Sequence, residues 1–307
     1  MVTAFITHSV CLKHAMGLGH PECPERLEAI KRQLDAAGIF PALQQHDAPQ
    51  AECEQLLRVH TESHVRRIES SAPQHGLVSL DPDTSMNPYT LEAAFRAAGA
   101  VILATDLVMQ GKAANAFCSI RPPGHHATRD QAMGFCFFNN VAVGAAHAIS
   151  QHGLTRVAIV DFDVHHGNGT EDIFRNDARV LLCSTFQHPF YPYSGAAGSS
   201  DHIINVPLVA GSSGEVFRQA VTRYWLPALN AFRPEIIYVS AGFDAHRDDY
   251  LAGLNLDESD YAWVTEQIKT VADEHAQGRI ISVLEGGYDL AALGRSVVAH
   301  IQVLCRG

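Results

Sequence analysis

The chain has 307 residues, 47% of them hydrophobic and 18% charged, and carries a formal net charge of −11. Such usage excludes a disordered or fibrous chain, and the acidic balance disfavours nucleic acid, whose binding needs a basic face. No apolar run approaches the roughly 20 residues of a membrane span, and seven cysteines without a C-x-x-C pair argue against a disulfide framework.

Residues 1–8 lack a basic region and a small-residue cleavage site, so they are expected to be a first strand in a cytoplasmic protein with reduced thiols. A Gly/Pro loop comes next, and Pro24 and Glu25 open a helix to about residue 37, with Leu27, Ile30 and Leu34 on one face and Gly38 as its stop. Short helices are expected around Leu56 and Val65, a loop over 81–88, and a long Ala-rich helix over 91–109. From there strands and helices alternate. Strands are expected at 116–120, 157–160, 180–183, 203–206, 236–240 and 280–284, and helices at 139–150, 216–232 (broken or kinked near Pro227), 261–275 and 290–303. That alternation predicts an α/β fold, a mostly parallel sheet with helices on both faces. Without a linker or repeat, residues 1–307 read as one domain.

Four polar clusters come after the C-terminal ends of predicted strands: 121–126, 161–168, 242–249 and 285–288. In open α/β sheets ligands bind outside that edge, so the clusters are expected to share one rim. The stretch from Asp161 to Thr170, DFDVHHGNGT, comes first in interest. Residues two apart on a strand share a side, so Asp163 and His165 can converge on one point, with Asp161 directed to the same side one pleat earlier. With Asp244 they offer two carboxylates and an imidazole, a donor set that suits zinc and leaves an open position. The plainer alternative is a hydrogen-bonded turn at Asp163 and His165 and a helix cap at Asp244. His125 and His126 sit in a turn stiffened by Pro122 and Pro123, and they are either an acid/base pair or two surface histidines. Tyr288, after Gly286 and Gly287, is either an oxyanion donor or part of a turn.

The motifs HPECPER (20–26), RPPGHHA (121–127), GFCFFNN (134–140), DFDVHHGNGT (161–170), AGFDAH (241–246) and EGGYDL (285–290) occur in one order. Together they resemble the histone deacetylase family of the arginase/deacetylase superfamily, in wording close to its class II branch and bacterial amidohydrolase relatives. The resemblance implies a single-domain arginase/deacetylase-like fold with about eight strands and a zinc-dependent deacylase acting on acyl-lysine in proteins or peptides. It implies one zinc ion on Asp163, His165 and Asp244. His126 matches the general base and acid, His125 its electrostatic partner, and Tyr288 the oxyanion donor. Asp161 and Asn168 match the residues that orient the two histidines. Phe135 and Tyr191, the latter where Phe is usual, match the walls of a substrate tunnel that Gly134 and Leu251 also line. Arg26 matches an arginine implicated in product release. Asp161, Asp163, His165, Ser184 and Thr185 match a structural potassium site, with a second monovalent-cation site near Phe174. Asp83 is a candidate for holding a substrate backbone or ammonium at the rim.

Three other readings compete. An acetylpolyamine amidohydrolase would use the same site, but Leu251 stands where polyamine-specific relatives place Glu. An arginase-type two-metal enzyme is disfavoured because Gly167 and His246 replace the extra aspartates. A non-catalytic acyl-lysine binding module would not need His126 and Tyr288. Neither nucleic acid nor membrane is an expected partner, and the oligomeric state is left open.

Overall fold

Apolar runs rich in Val and Ile form the strands, as β-branched side chains pack well on a pleated surface. The computed structural model describes residues 2–198 and 200–306; Met1, where the predicted first strand begins, and Gly307, at the end of the predicted domain, lie outside the described residues. Eight strands, β1 (Thr3–Thr7), β2 (Gln44–Asp47), β5 (Asn115–Cys118), β6 (Val157–Asp161), β7 (Val180–Gln187), β8 (Ile203–Leu208), β9 (Ile236–Ala241) and β10 (Ile280–Leu284), make one sheet in the order β2-β1-β5-β10-β9-β6-β7-β8. Every pairing in it is parallel. Two short strands, β3 (Val78–Ser79) and β4 (Ser85–Met86), pair separately.

Helices cover both faces. On one, the Tyr238 hydroxyl of β9 bonds Thr105 of α4 (Thr90–Met109) at 2.7 Å and the Gly144 carbonyl of α5 (Asn140–His152) at 2.9 Å. On the other, Ser282 of β10 bonds His300 of α10 (Leu290–Leu304) at 2.8 Å, and α1 (Glu25–Ala36) and α9 (Glu258–His275) pack beside α10. With both faces covered, the central strands are buried throughout and mostly apolar, as a parallel sheet requires. Strands β5, β10, β9 and β6 are neighbours, so the four polar clusters at their C-terminal ends do share one rim.

The structure adds and corrects. Strand β2, with the polar sequence QQHD, is an edge strand that has no apolar run to reveal it. The loop expected over 81–88 contains β4. The expected strand at 180–183 runs on to Gln187 and so includes Ser184 and Thr185. The chain after β6 enters a helix missed in the sequence, α6 (Asn168–Phe174). The predicted break near Pro227 takes the form of a π-helical turn at Val221–Trp225 between α7 (Gly214–Ala220) and α8 (Leu226–Phe232); proline has no N–H to continue the regular ladder. Helices α2 (Cys53–Leu56) and α3 (Glu62–Ser71) stand where short ones were expected. All seven cysteines are free, and among the described residues no helix is long and apolar enough to cross a membrane.

Candidate active site

Strand β6 ends at Asp161, and the turns beyond it are built by aspartate side chains bonding the backbone two residues on. Asp161 Oδ1 accepts the Asp163 N–H at 3.1 Å, and Asp163 Oδ1 accepts the His165 N–H at 2.8 Å. Asp163 and His165 do converge, but these turns bring them together and not a continued pleat. Asp161 departs from its expected direction and turns to His125 (Oδ2 to Nδ1, 2.9 Å). Asp244, after β9, completes the group. Ligand atoms of Asp163, His165 and Asp244 lie within 4.8 Å of one another, with His165 Nδ1 3.0 Å from Asp163 Oδ1 and 3.2 Å from Asp244 Oδ2.

The two carboxylates are locked from behind. Asp244 Oδ1 accepts the Val164 N–H at 2.9 Å and Asp163 Oδ2 the Gly286 N–H at 2.8 Å. Asp244 Oδ2 is buried and accepts no hydrogen bond of good geometry; only His165 Nδ1 approaches it, at 3.2 Å. Burial and the neighbouring Asp163 push the Asp244 carboxyl up to about 6. Burial opposes a proton on His165, but Asp163 and Asp244 lift its pKa to about 10. A centre that holds protons this firmly is short of positive charge, and a metal ion would supply it. A second group, Asp106 with His147 and His152, differs. Both histidine Nε2 atoms already bond Asp106 Oδ1 at 2.8 Å, and Arg58 donates to His147 Nδ1 at 3.1 Å, so it reads as a clasp between α4 and α5.

His125 and His126 stand together, ring centroids 4.1 Å apart. His126 Nδ1 meets Asn168 Oδ1 at 2.7 Å; an amide oxygen only accepts, so Nδ1 carries the proton and Nε2 is left as the acceptor. Burial first, then the charges of His125 and His165, hold His126 well below the usual histidine range. His125 is raised despite burial, because Asp163 and Asp161 flank it. The turn beneath them hangs on Glu285, whose Oε2 accepts the Gly124 N–H at 2.7 Å and the His125 N–H at 3.2 Å.

Tyr288 is buried, and burial together with the Asp244 charge raises its hydroxyl well above the ordinary value, keeping it a donor. Arg26 lies behind it. Its Nε donates to the Gly287 carbonyl at 2.7 Å, and its guanidinium carbon is 5.0 Å from the Tyr288 ring. Glu22 pairs with Arg26 at 3.2 Å and with Arg121 through both carboxylate oxygens, all three side chains being fully buried.

Above the carboxylates opens a narrow cavity of about 140 Å³ lined by Asp83, His126, Gly134, Phe135, His165, Tyr191, Leu251 and Tyr288. Gly134, Phe135, Tyr191 and Leu251, expected in the tunnel wall, Asp83, expected at its rim, and His126 and Tyr288 thus line one space. Tyr191 packs edge-on to His126 (5.3 Å) and Phe135 to Tyr288 (6.0 Å). Gly134 adopts φ 56°, and a Cβ there would meet His126 Cδ2 at 2.5 Å, so only glycine fits. A short relay shapes the rim: the Phe135 N–H donates to Thr84 Oγ1 (3.0 Å), which donates to Asp83 Oδ1 (2.9 Å).

Ser184 Oγ, on β7 beside Asp161, is buried without a partner. The Phe174 carbonyl accepts from His202 Nε2 at 3.3 Å. His246 bonds the Asp248 N–H at 3.0 Å, away from the carboxylate centre. His166, which the motifs leave without a role, bridges Ser194 Oγ (2.8 Å) and Glu171 Oε2 (2.9 Å), and so straps down the loop that carries Tyr191.

Comparison with known proteins shows the family and the fold. The histone deacetylase domain family matches residues 20–304. The chain is 40% identical to a histone deacetylase-like amidohydrolase of Pseudomonas aeruginosa over 98% of this chain and 86% of that one. It is 38% identical to a probable deacetylase of Archaeoglobus fulgidus, over 94% and 82% of the two chains. Among solved structures, the crystal structure of the HDA15 HD domain superposes with a TM-score of 0.93 at 35% identity, covering 99% of this chain and 90% of that one. The chain belongs to the histone deacetylase family and is an enzyme of the deacetylase and amidohydrolase kind.

Proposed function

We propose that this enzyme removes acetyl or other acyl groups from lysine side chains of proteins or peptides, with one zinc ion held by Asp163, His165 and Asp244. The observation that carries the reading is the floor of the tunnel, where three ligand atoms lie within 4.8 Å of one another and the buried Asp244 Oδ2 among them has only His165, another of the three, beside it. Two carboxylates and an imidazole suit zinc, and three protein ligands leave room for water or substrate. Zinc bound there would polarise the amide carbonyl and lower the pKa of water.

The remaining work falls to side chains. His126, neutral and with Nε2 free to accept, takes a proton from the attacking water, while its Nδ1–H stays on Asn168. Asn168 is an amide and adds no charge to steady the imidazolium. His125, oriented by Asp161, sets the local potential. The Tyr288 hydroxyl donates to the carbonyl oxygen as it gains negative charge. His126 then passes its proton to the leaving amine. Phe135 and Tyr191 hold the aliphatic stem and keep water off it. All three nitrogens of Arg26 are committed, Nη1 to the Glu22 carboxylate, Nε to the Gly287 carbonyl and Nη2 to the Glu285 carbonyl at 2.5 Å, which supports a positioning role beside the product-release role carried over from the family.

Leu251 at the rim is apolar and offers nothing to a second ammonium, which supports lysine over acetylated polyamines; Asp83, which lines the same cavity, would accept from a substrate backbone N–H. Turnover of acyl-lysine peptides of several acyl lengths, beside acetylated polyamines, tests the choice. Exclusive use of polyamines refutes the lysine assignment, and activity indifferent to chelator refutes the metal. The buried Ser184 Oγ supports a potassium ion held with backbone at Asp161, Asp163, His165 and Thr185; melting temperature in potassium against lithium salts checks it, and equal values count against the ion.

A further inference from the structure

Asp249 lies in the loop between β9 and α9, buried, with every carboxylate oxygen engaged by backbone. Oδ2 accepts the N–H groups of Tyr288 (2.6 Å) and Asp289 (3.1 Å), and Oδ1 accepts that of Leu251 (3.0 Å). Asp289 caps α10, its side chain accepting the Ala292 N–H at 2.8 Å. In a capping box the residue at the third helical position returns the bond by accepting the N–H of the cap residue. That residue here is Ala292, which has no acceptor, and Asp249 supplies one from the other end of the site. Tyr288 is thereby fixed on both sides. Asp249 accepts the N–H of the peptide group on each side of it, and Arg26 holds the Gly287 carbonyl, the other end of the preceding group, at 2.7 Å. The same carboxylate holds the backbone of Leu251, so the floor and the mouth of the tunnel hang on one side chain.

We propose that Asp249 is a positioning residue for the reaction: it sets the reach of the Tyr288 hydroxyl into the tunnel and ties it to the Leu251 rim. This rests on the proposed role of Tyr288 as oxyanion donor. Because both oxygens accept N–H groups, Asp249→Asn must set an amide NH₂ against a backbone N–H on one side or the other. A displaced catalytic group costs about 10- to 100-fold in rate.

The test is a double-mutant cycle with Tyr288→Phe on an acetyl-lysine peptide. Asp249→Asn alone is expected to lower kcat about 10- to 100-fold, with KM within about threefold and zinc content at the wild-type level. In the Tyr288→Phe background it is expected to lower kcat by less than about twofold, because the hydroxyl it aims is gone. Equal losses in the two backgrounds would show a general structural effect and overturn the inference, as would a wild-type kcat in Asp249→Asn. A wild-type kcat in Tyr288→Phe alone refutes the Tyr288 assignment instead. Asp249→Glu, which keeps the charge and shifts the carboxylate, runs the same cycle with the same outcomes if the Asn variant does not fold.

Discussion

Replacing Gly286 by alanine probes the proposed metal centre through geometry. A Cβ built on Gly286 would lie 2.0 Å from Asp244 Oδ2 and 2.6 Å from Asp163 Oδ2, where ordinary contact begins at 3.4 Å. Neither carboxylate can simply retreat. Asp244 is held by the Val164 N–H at 2.9 Å, and Asp163 by the His165 N–H at 2.8 Å. Ligand distances in a metal site tolerate shifts of only about 0.2 Å, so a displacement several times larger removes a ligand. Loss of a supporting partner alone costs about 10- to 100-fold in metal affinity, and Gly286→Ala is expected at or beyond the upper end of that range. Crowding a packed interior adds about 1–3 kcal/mol of destabilisation. Competition with a fluorescent chelator reads the affinity. Melting with and without zinc reads the coupling, since an ion bound only by the folded state raises the wild-type midpoint more than the variant's. A folded Gly286→Ala protein that binds zinc within about threefold of wild type would refute the placement of the metal between these carboxylates.

Other substitutions separate the remaining roles. Tyr288→Phe should lower kcat by about 10²- to 10³-fold, the cost of losing one oxyanion donor, with zinc content unchanged in elemental analysis; a normal kcat refutes the assignment. Gly134→Ala combines φ 56° with a Cβ 2.5 Å from His126 Cδ2, and steady-state assays should show at least about a tenfold loss of kcat/KM; retained turnover counts against the tunnel. His166→Leu breaks the bonds to Ser194 and Glu171, with a denaturant midpoint expected to reflect a loss of about 1–3 kcal/mol and KM rising more than kcat falls. An unchanged KM would detach that strap from the Tyr191 wall.

The rim was legible because β6, β9 and β10 are apolar runs ending abruptly in polar residues, and a parallel sheet aligns such endings. The spacing of Asp163 and His165 was legible too, though the cause is a pair of side-chain-to-backbone turns and not a continued pleat. Strand geometry misdirected Asp161 for that reason, since the strand stops at it, whereas the motif resemblance set it beside His125, where it stands. Strand β2 is polar and pairs on one side only, so periodicity had nothing to register. Helix α6 is short and opens with Asn-Gly-Thr, weak helix formers held by tertiary contact. The parts played by Glu285 and Asp249 lay beyond sequence reading, because their bonds cross 161 and 39 residues to main-chain N–H groups, which carry no residue identity.

Those backbone bonds explain how so acidic a centre stays inside the protein. Asp161, Asp163, Asp244, Asp249 and Glu285 are all buried, and burial alone raises each carboxyl. Where the charge of His125 and the Gly124 N–H do not outweigh burial and the neighbouring Asp161 and Asp163, the shift remains, as for Glu285, pushed up to about 7. Where His125 and His165 stand close, as at Asp163, the carboxylate is held below its ordinary range despite burial. Farther back, Glu22 is held low by Arg121 in the same way, and its pairing lets Arg26 sit buried behind Tyr288. A buried charge that loses its partner costs about 3–5 kcal/mol. The HPECPER segment, far from the proposed metal ligands in sequence, thus supplies the paired cation that anchors the Gly287 carbonyl, while Asp249 anchors the next N–H. Opposite charges hold the two ends of one peptide group, Gly287 C=O and Tyr288 N–H, and the proposed reach of the Tyr288 hydroxyl depends on both.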